Sequence, residues 1–133
     1  MRREMCGLIS LLLIGSAIFA QTPAGLPVFF ERNVGQADGQ ISYLSRQAGY
    51  VLYFTPEGVA FQTRSSSLKM RFLATGRDRQ QVGLEPLPGR VHYLLGNHPD
   101  KWLTDVPTYA RVAEKNVYPG IDLVYYSTEG QLE

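Results

Sequence analysis

The sequence predicts an all-β, antiparallel, sandwich-like domain, and three observations carry that prediction. Apolar residues alternate with period two in several short runs, Gly and Pro recur between those runs, and there is no heptad or internal repeat. With 13 Gly and 8 Pro in 133 residues, turns are frequent enough to divide the chain into about six or more short strands. The clearest alternation is Leu68, Met70 and Phe72 on one face against Lys69 and Arg71 on the other. Residues 50–54 and 59–63 flank Thr55-Pro56-Glu57-Gly58, where Pro presets φ at the second turn position and Gly eases the exit, so the pair reads as a hairpin. Residues 41–46 form the expected preceding strand and 27–31 the first. Residues 74–89 read as a polar, turn-rich connection, most open around Gly76-Arg77-Asp78-Arg79-Gln80-Gln81. Residues 121–126 are apolar on both faces and are expected at a central position. Residues 108–115 fit helix and strand equally. Gly130-Gln131-Leu132-Glu133 looks like the opening of a further strand, and the domain is expected to be incomplete at its C-terminus, since a lone strand leaves N–H and C=O groups unpaired.

Residues 1–20 have the layout of a secretory signal-peptide helix: Arg2 and Arg3, an apolar run from Cys6 to Phe19, and small residues at the end. Cleavage is expected between Ala20 and Gln21, with a cut after Ala17 as the alternative. The apolar run is shorter than the roughly 20 residues an anchor needs, so contact with a membrane is expected only during export. Cys6 departs with the signal, leaving residues 21–133 as a secreted or cell-surface β-rich domain without a disulfide. Loss of Arg2, Arg3 and Glu4 takes the chain from 13 basic and 12 acidic residues to 11 of each. That neutrality argues against a nucleic-acid partner, and a charged fraction of 19% is too low for a solvated disordered chain.

An ordered set of motifs spans most of the remaining chain. Phe30-Glu31-Arg32-Asn33-Val34-Gly35-Gln36 is followed by Leu87-Pro88-Gly89, by Tyr93, Gly96, Pro99 and Trp102, and by Tyr109-Ala110-Arg111-Val112. The set closes with Val117-Tyr118-Pro119-Gly120-Ile121-Asp122-Leu123-Val124-Tyr125-Tyr126 and Gly130-Gln131-Leu132-Glu133. Together they resemble an uncharacterised N-terminal domain of bacterial secreted proteins that carry SBBP (beta-propeller) repeats. The resemblance implies that the domain continues beyond Glu133 into further sheet and then propeller repeats. It implies no catalytic residues, because that family has no established activity. His92 stands where Asn is common, and residues 113–116 replace a more strand-like stretch.

The chemistry-bearing residues favour structural roles. His92 and His98 are six apart, a spacing that suits neither a helical pair nor alternate strand positions, and no metal site or other cofactor is assigned. His98-Pro99-Asp100 reads as a turn. Asp100, Asp105 and Asp122 lack the dense loop spacing of a calcium site and read as turn carboxylates; Asp122, if buried, would need a partner such as Arg111 or a backbone N–H. No nucleophile elbow or phosphate loop is present. Trp102, Tyr109 and Tyr126 are candidate contacts for a glycan or a cell-surface protein, although such aromatic residues more often pack in a core. The expected function is a non-catalytic structural or recognition module. The alternative is a substrate-binding or catalytic part of a secreted polysaccharide- or protein-degrading hydrolase.

Overall fold

A computed structural model of the chain describes residues 27–73, 76–128 and 130–133. The expected signal segment and the Ala20–Gln21 cleavage site lie outside the described residues. Ten strands follow one another: β1 Phe30–Arg32, β2 Tyr43–Gln47, β3 Tyr50–Thr55, β4 Gly58–Gln62, β5 Ser67–Arg71, β6 Gln80–Tyr93, β7 Leu103–Tyr118, β8 Ile121–Tyr125, β9 Ser127–Thr128 and β10 Gln131–Leu132. All pairings are antiparallel. Eight strands form one sheet in the order β5-β4-β3-β2-β1-β7-β6, with β8 also on β7, while β9 and β10 make a small hairpin. The domain is therefore all-β, and its packed layers are two arms of one curled sheet.

β7 is the spine of the sheet. One of its edges carries β6; the other pairs first with β1 at Thr108 and Tyr109 and then with β8 from Val112 onward. This fork lets the β2–β4 arm fold across the β6–β8 arm. Phe54 of β3 meets Phe30 of β1 with ring centroids 5.8 Å apart and Tyr125 of β8 at 4.9 Å, both edge to face. Val28, Tyr43, Leu52, Val59 and Val112 complete that core. Burying such side chains contributes about 1.5–3 kcal/mol each, so this aromatic and aliphatic seam holds the arms together without a disulfide.

The expected hairpin forms as β3 and β4, with Thr55 opposite Gly58. Gly58 is required there, because a Cβ would stand 2.0 Å from the Met70 carbonyl oxygen of the neighbouring strand. Elsewhere the structure corrects the sequence reading. Residues 80–89 of the expected 74–89 connection are not a connection but the greater part of the 14-residue strand β6. β6 is terminal in the sheet, so Pro86 loses no ladder hydrogen bond on its open side, and the register jump between Pro86 and Arg90 absorbs Leu87-Pro88-Gly89. The ambiguous residues 108–115 are strand, held on both edges within β7. β8 pairs only with β7 and is not central; Ile121 is 55% exposed. Asp122 is likewise exposed, taking its proton-bearing partners from Lys115 Nζ at 2.7 Å and the Asn116 N–H at 2.9 Å rather than from Arg111. β5, which shows the clearest alternation, is exposed along its whole length, with Leu68 66% accessible. Residues 131–132 pair back onto 127–128, and Tyr126 and Glu133 exchange two backbone hydrogen bonds.

Candidate functional site

The register of β1 and β2 sets Glu31 opposite Leu44, so Glu31, Leu44 and Arg46 share the sheet face turned away from Phe30. Glu31 is almost wholly buried on that face, a costly position for a carboxylate unless it is hydrogen-bonded. Its partner arrives from the far end of β6: the Tyr93 hydroxyl donates to Glu31 Oε2, and Gln36 Nε2 stands 3.5 Å from the same oxygen. Arg46 Nε donates to the Tyr93 hydroxyl at 2.9 Å, and its guanidinium lies 5.3 Å above the Tyr93 ring centre. Burial first, and then the Glu31 carboxylate, push the Tyr93 hydroxyl above its ordinary range, so it stays protonated and acts as donor.

Gln36, Arg46 and Tyr93 line an open cleft of about 600 Å³, together with Gly35, Leu95, Lys101 and Leu103, while Glu31 is joined to it only through the Tyr93 hydroxyl. Asn33 shapes the adjoining loop. Its side-chain amide donates to the Asp38 and Ile41 carbonyls, both at 2.8 Å, and its Oδ1 accepts the Gly35 N–H at 3.0 Å. Gln36 is fixed in turn by donating to the Arg32 carbonyl at 2.8 Å and accepting the Val34 N–H at 2.7 Å. Pro99–Lys101 forms a 3-10 turn that contributes Lys101 to the lining. The His-Pro-Asp turn expected from sequence therefore forms, and it leads directly into Lys101. His92 is structural, its Nδ1 accepting the Asp105 N–H at 3.0 Å.

A second polar cluster is enclosed between the arms. Glu114 is fully buried, with Arg79 Nε 2.8 Å from its Oε2 and Gln81 Nε2 donating to its Oε1 at 3.1 Å. The Arg79 Nε–H is not aimed at Oε2, so this contact is a charge pairing without a hydrogen bond; Oε2 and the Tyr125 hydroxyl are buried without one among the described residues. Arg79 and Gln81 also donate to the Thr55 carbonyl at 3.1 and 2.8 Å, which ties the start of β6 to the end of β3. Burial raises the Glu114 carboxyl above its ordinary range, with Arg79 and Gln81 opposing, and burial does the same to the Tyr125 hydroxyl. This cluster is a clasp between arms rather than an opening to solvent.

The three aromatic residues singled out from sequence lie in different settings. Trp102 is half-buried and donates Nε1–H to the Gly96 carbonyl at 3.1 Å, bracing the loop beside the cleft. Tyr109 packs edge to face on Tyr43 at 5.8 Å and covers Gly83, where a Cβ would stand 2.7 Å from its ring. Tyr126 lies under the Arg111 guanidinium at 5.4 Å. No aromatic pair joins these three among the described residues. Sequence reasoning did not single out Arg46, Lys101, Arg79, Gln81 or Glu114. A signal for the cleft was present, because Glu31, Gly35, Gln36 and Tyr93 all belong to the motifs that carry the family resemblance.

Comparison with known proteins gives one family match: a model described as a domain of unknown function, DUF7948, matches residues 30–133. No curated protein and no solved structure is matched.

Proposed function

The chain belongs to the DUF7948 family of domains of unknown function, and from that premise we propose that it is a non-catalytic recognition module of an exported bacterial cell-surface protein, placed ahead of beta-propeller repeats. The observation that carries the recognition reading is the cleft lining, where Arg46 is held by Tyr93, whose hydroxyl is in turn anchored on a buried Glu31. Placing a charge beneath a surface cleft is expensive, and at Glu31 that cost is offset by the Tyr93 hydroxyl and the Gln36 amide, which leaves Arg46 without a carboxylate partner of its own. The same arrangement holds the Arg46 guanidinium in one orientation before any ligand arrives, which lowers the ordering cost of binding. Export is supported by the charged start, apolar run and small residues of positions 1–20.

The ligands that suit such a wall are glycans of the cell surface, since the polar groups are few, fixed and mixed with apolar side chains. A glycan array probed with the exported chain tests this. Discrete signals above background are expected; a uniform background contradicts glycan recognition. Turnover of a polysaccharide on the same array would instead favour the hydrolase reading. Export has its own measurement: the protein recovered outside the cytoplasm should have a mass that begins at Gln21, and retention of residues 1–20 in an intracellular pool contradicts it.

A further inference from the structure

We propose that the cleft between β2 and the 3-10 turn takes a carboxylate-bearing sugar, a uronate, with Arg46 and Lys101 as its anion-binding pair. This deepens the recognition reading above and rests on it. Arg46 has no carboxylate within ion-pair distance among the described residues, and neither has Lys101. Glu31 does not neutralise Arg46 directly, because the Tyr93 hydroxyl is interposed and accepts from one while donating to the other. Asp100 adjoins Lys101 but is not on the cleft wall. Two cations thus line one open cavity, and among the described residues no carboxylate is part of its lining.

The geometry suits a planar anion. With Nε engaged by Tyr93 and the guanidinium plane resting over the Tyr93 ring, rotation of the Arg46 head is restrained, and its terminal nitrogens form the fork that pairs with a carboxylate. Lys101 adds a point charge to the lining, and Gln36, held by the Asn33 loop, supplies an amide for hydroxyl groups. Leu95 and Leu103 offer apolar contact for the C–H face of a pyranose ring. A sugar is favoured over a peptide because the wall is built from strand ends, a loop and a turn, which leave no ladder for an added strand to extend.

The test is titration of the exported chain with trigalacturonate and with its methyl ester, which keeps the scaffold and removes the charge. Wild-type protein is expected to bind the acid at least about tenfold more tightly than the ester, a difference of about 1.4 kcal/mol, with the preference shrinking as salt rises. Arg46→Gln should bind acid and ester alike, and Lys101→Gln should lose part of the preference; thermal melts matching wild type establish that both variants fold. Equal binding of acid and ester by the wild type, or an unchanged preference in Arg46→Gln, overturns the uronate assignment while leaving glycan recognition standing. No binding of either probe overturns the assignment, and only an array blank for every glycan also removes the reading on which it rests.

Discussion

Glu114 shows what a single buried residue does in this domain. Its carboxylate is held by Arg79 and Gln81, and those two side chains also grip the Thr55 carbonyl, so one acid ties β7 to the ends of β6 and β3. Removing only the cation leaves a buried charge without its counterion. Arg79→Ala is therefore expected to cost about 3–5 kcal/mol in denaturant unfolding. The Glu114 carboxyl is raised by burial above the ordinary 4.5, so the folded state holds its proton to higher pH than the unfolded chain does. Its contribution to stability is then fully present below about pH 4.5 and is lost as pH rises through the folded value. Glu114→Gln should remove that decline, seen as a flatter dependence of the unfolding midpoint on pH above the acid range; an unchanged slope would show that Glu114 is not its source. Asp122 has the opposite sign. Lys115 and the Asn116 N–H hold it below the usual carboxylate range, so its stabilisation is present above that range and disappears on acidification.

At the scale of elements, β5 and β6 are the two ends of the curled sheet, and they are protected differently. β6 carries Pro86, Pro88 and a register jump, features that discourage another strand from pairing. β5 has neither Pro nor bulge, only Lys69 and Arg71 on one face, while Leu68 and Met70 on the other are 66% and 41% exposed. Leu68→Lys should accordingly lower self-association, measured by light scattering against concentration, and change the melting temperature little; unchanged association would place the sticky surface elsewhere. The same contrast explains what was legible in the sequence. Period-two alternation reports which residues share a face, and it correctly located β2 to β5, but it does not report whether that face is covered, so β5 looked half-buried. Turn residues were read as breaks in residues 74–89, and from residue 80 onward an edge strand accommodates them because its outer backbone needs no partner. β8 looked central because both faces are apolar, yet its second edge is unpaired among the described residues. For the cleft, Glu31, Gln36 and Tyr93 stood within the family motifs, but Arg46 and Lys101 join them only through the β1–β2 register and the path of the loop after β6.

For the whole molecule, the two arms cohere through a narrow aromatic seam in which Phe54 touches both Phe30 and Tyr125. Phe54→Ala should cost about 3–5 kcal/mol, and because the ring spans the arms, intrinsic fluorescence and far-ultraviolet dichroism should still report a single coincident transition at a lower midpoint. Two separated transitions would mean that the arms fold independently. The recognition face is formed on the other side of β1 and β2 from this seam, so ligand binding and arm packing use opposite faces of the same strands. That separation lets a rigid sheet hold Arg46 and Tyr93 in place while the rim residues Leu95 and Lys101 sit on loop and turn. The most direct measurement of the recognition account is an amide chemical-shift map of the isotope-labelled exported chain, titrated with a glycan that scores on the array. Perturbations are predicted to concentrate at Gly35, Gln36, Arg46, Tyr93 and Lys101; a map centred instead on β5, with the cleft unchanged, would contradict it.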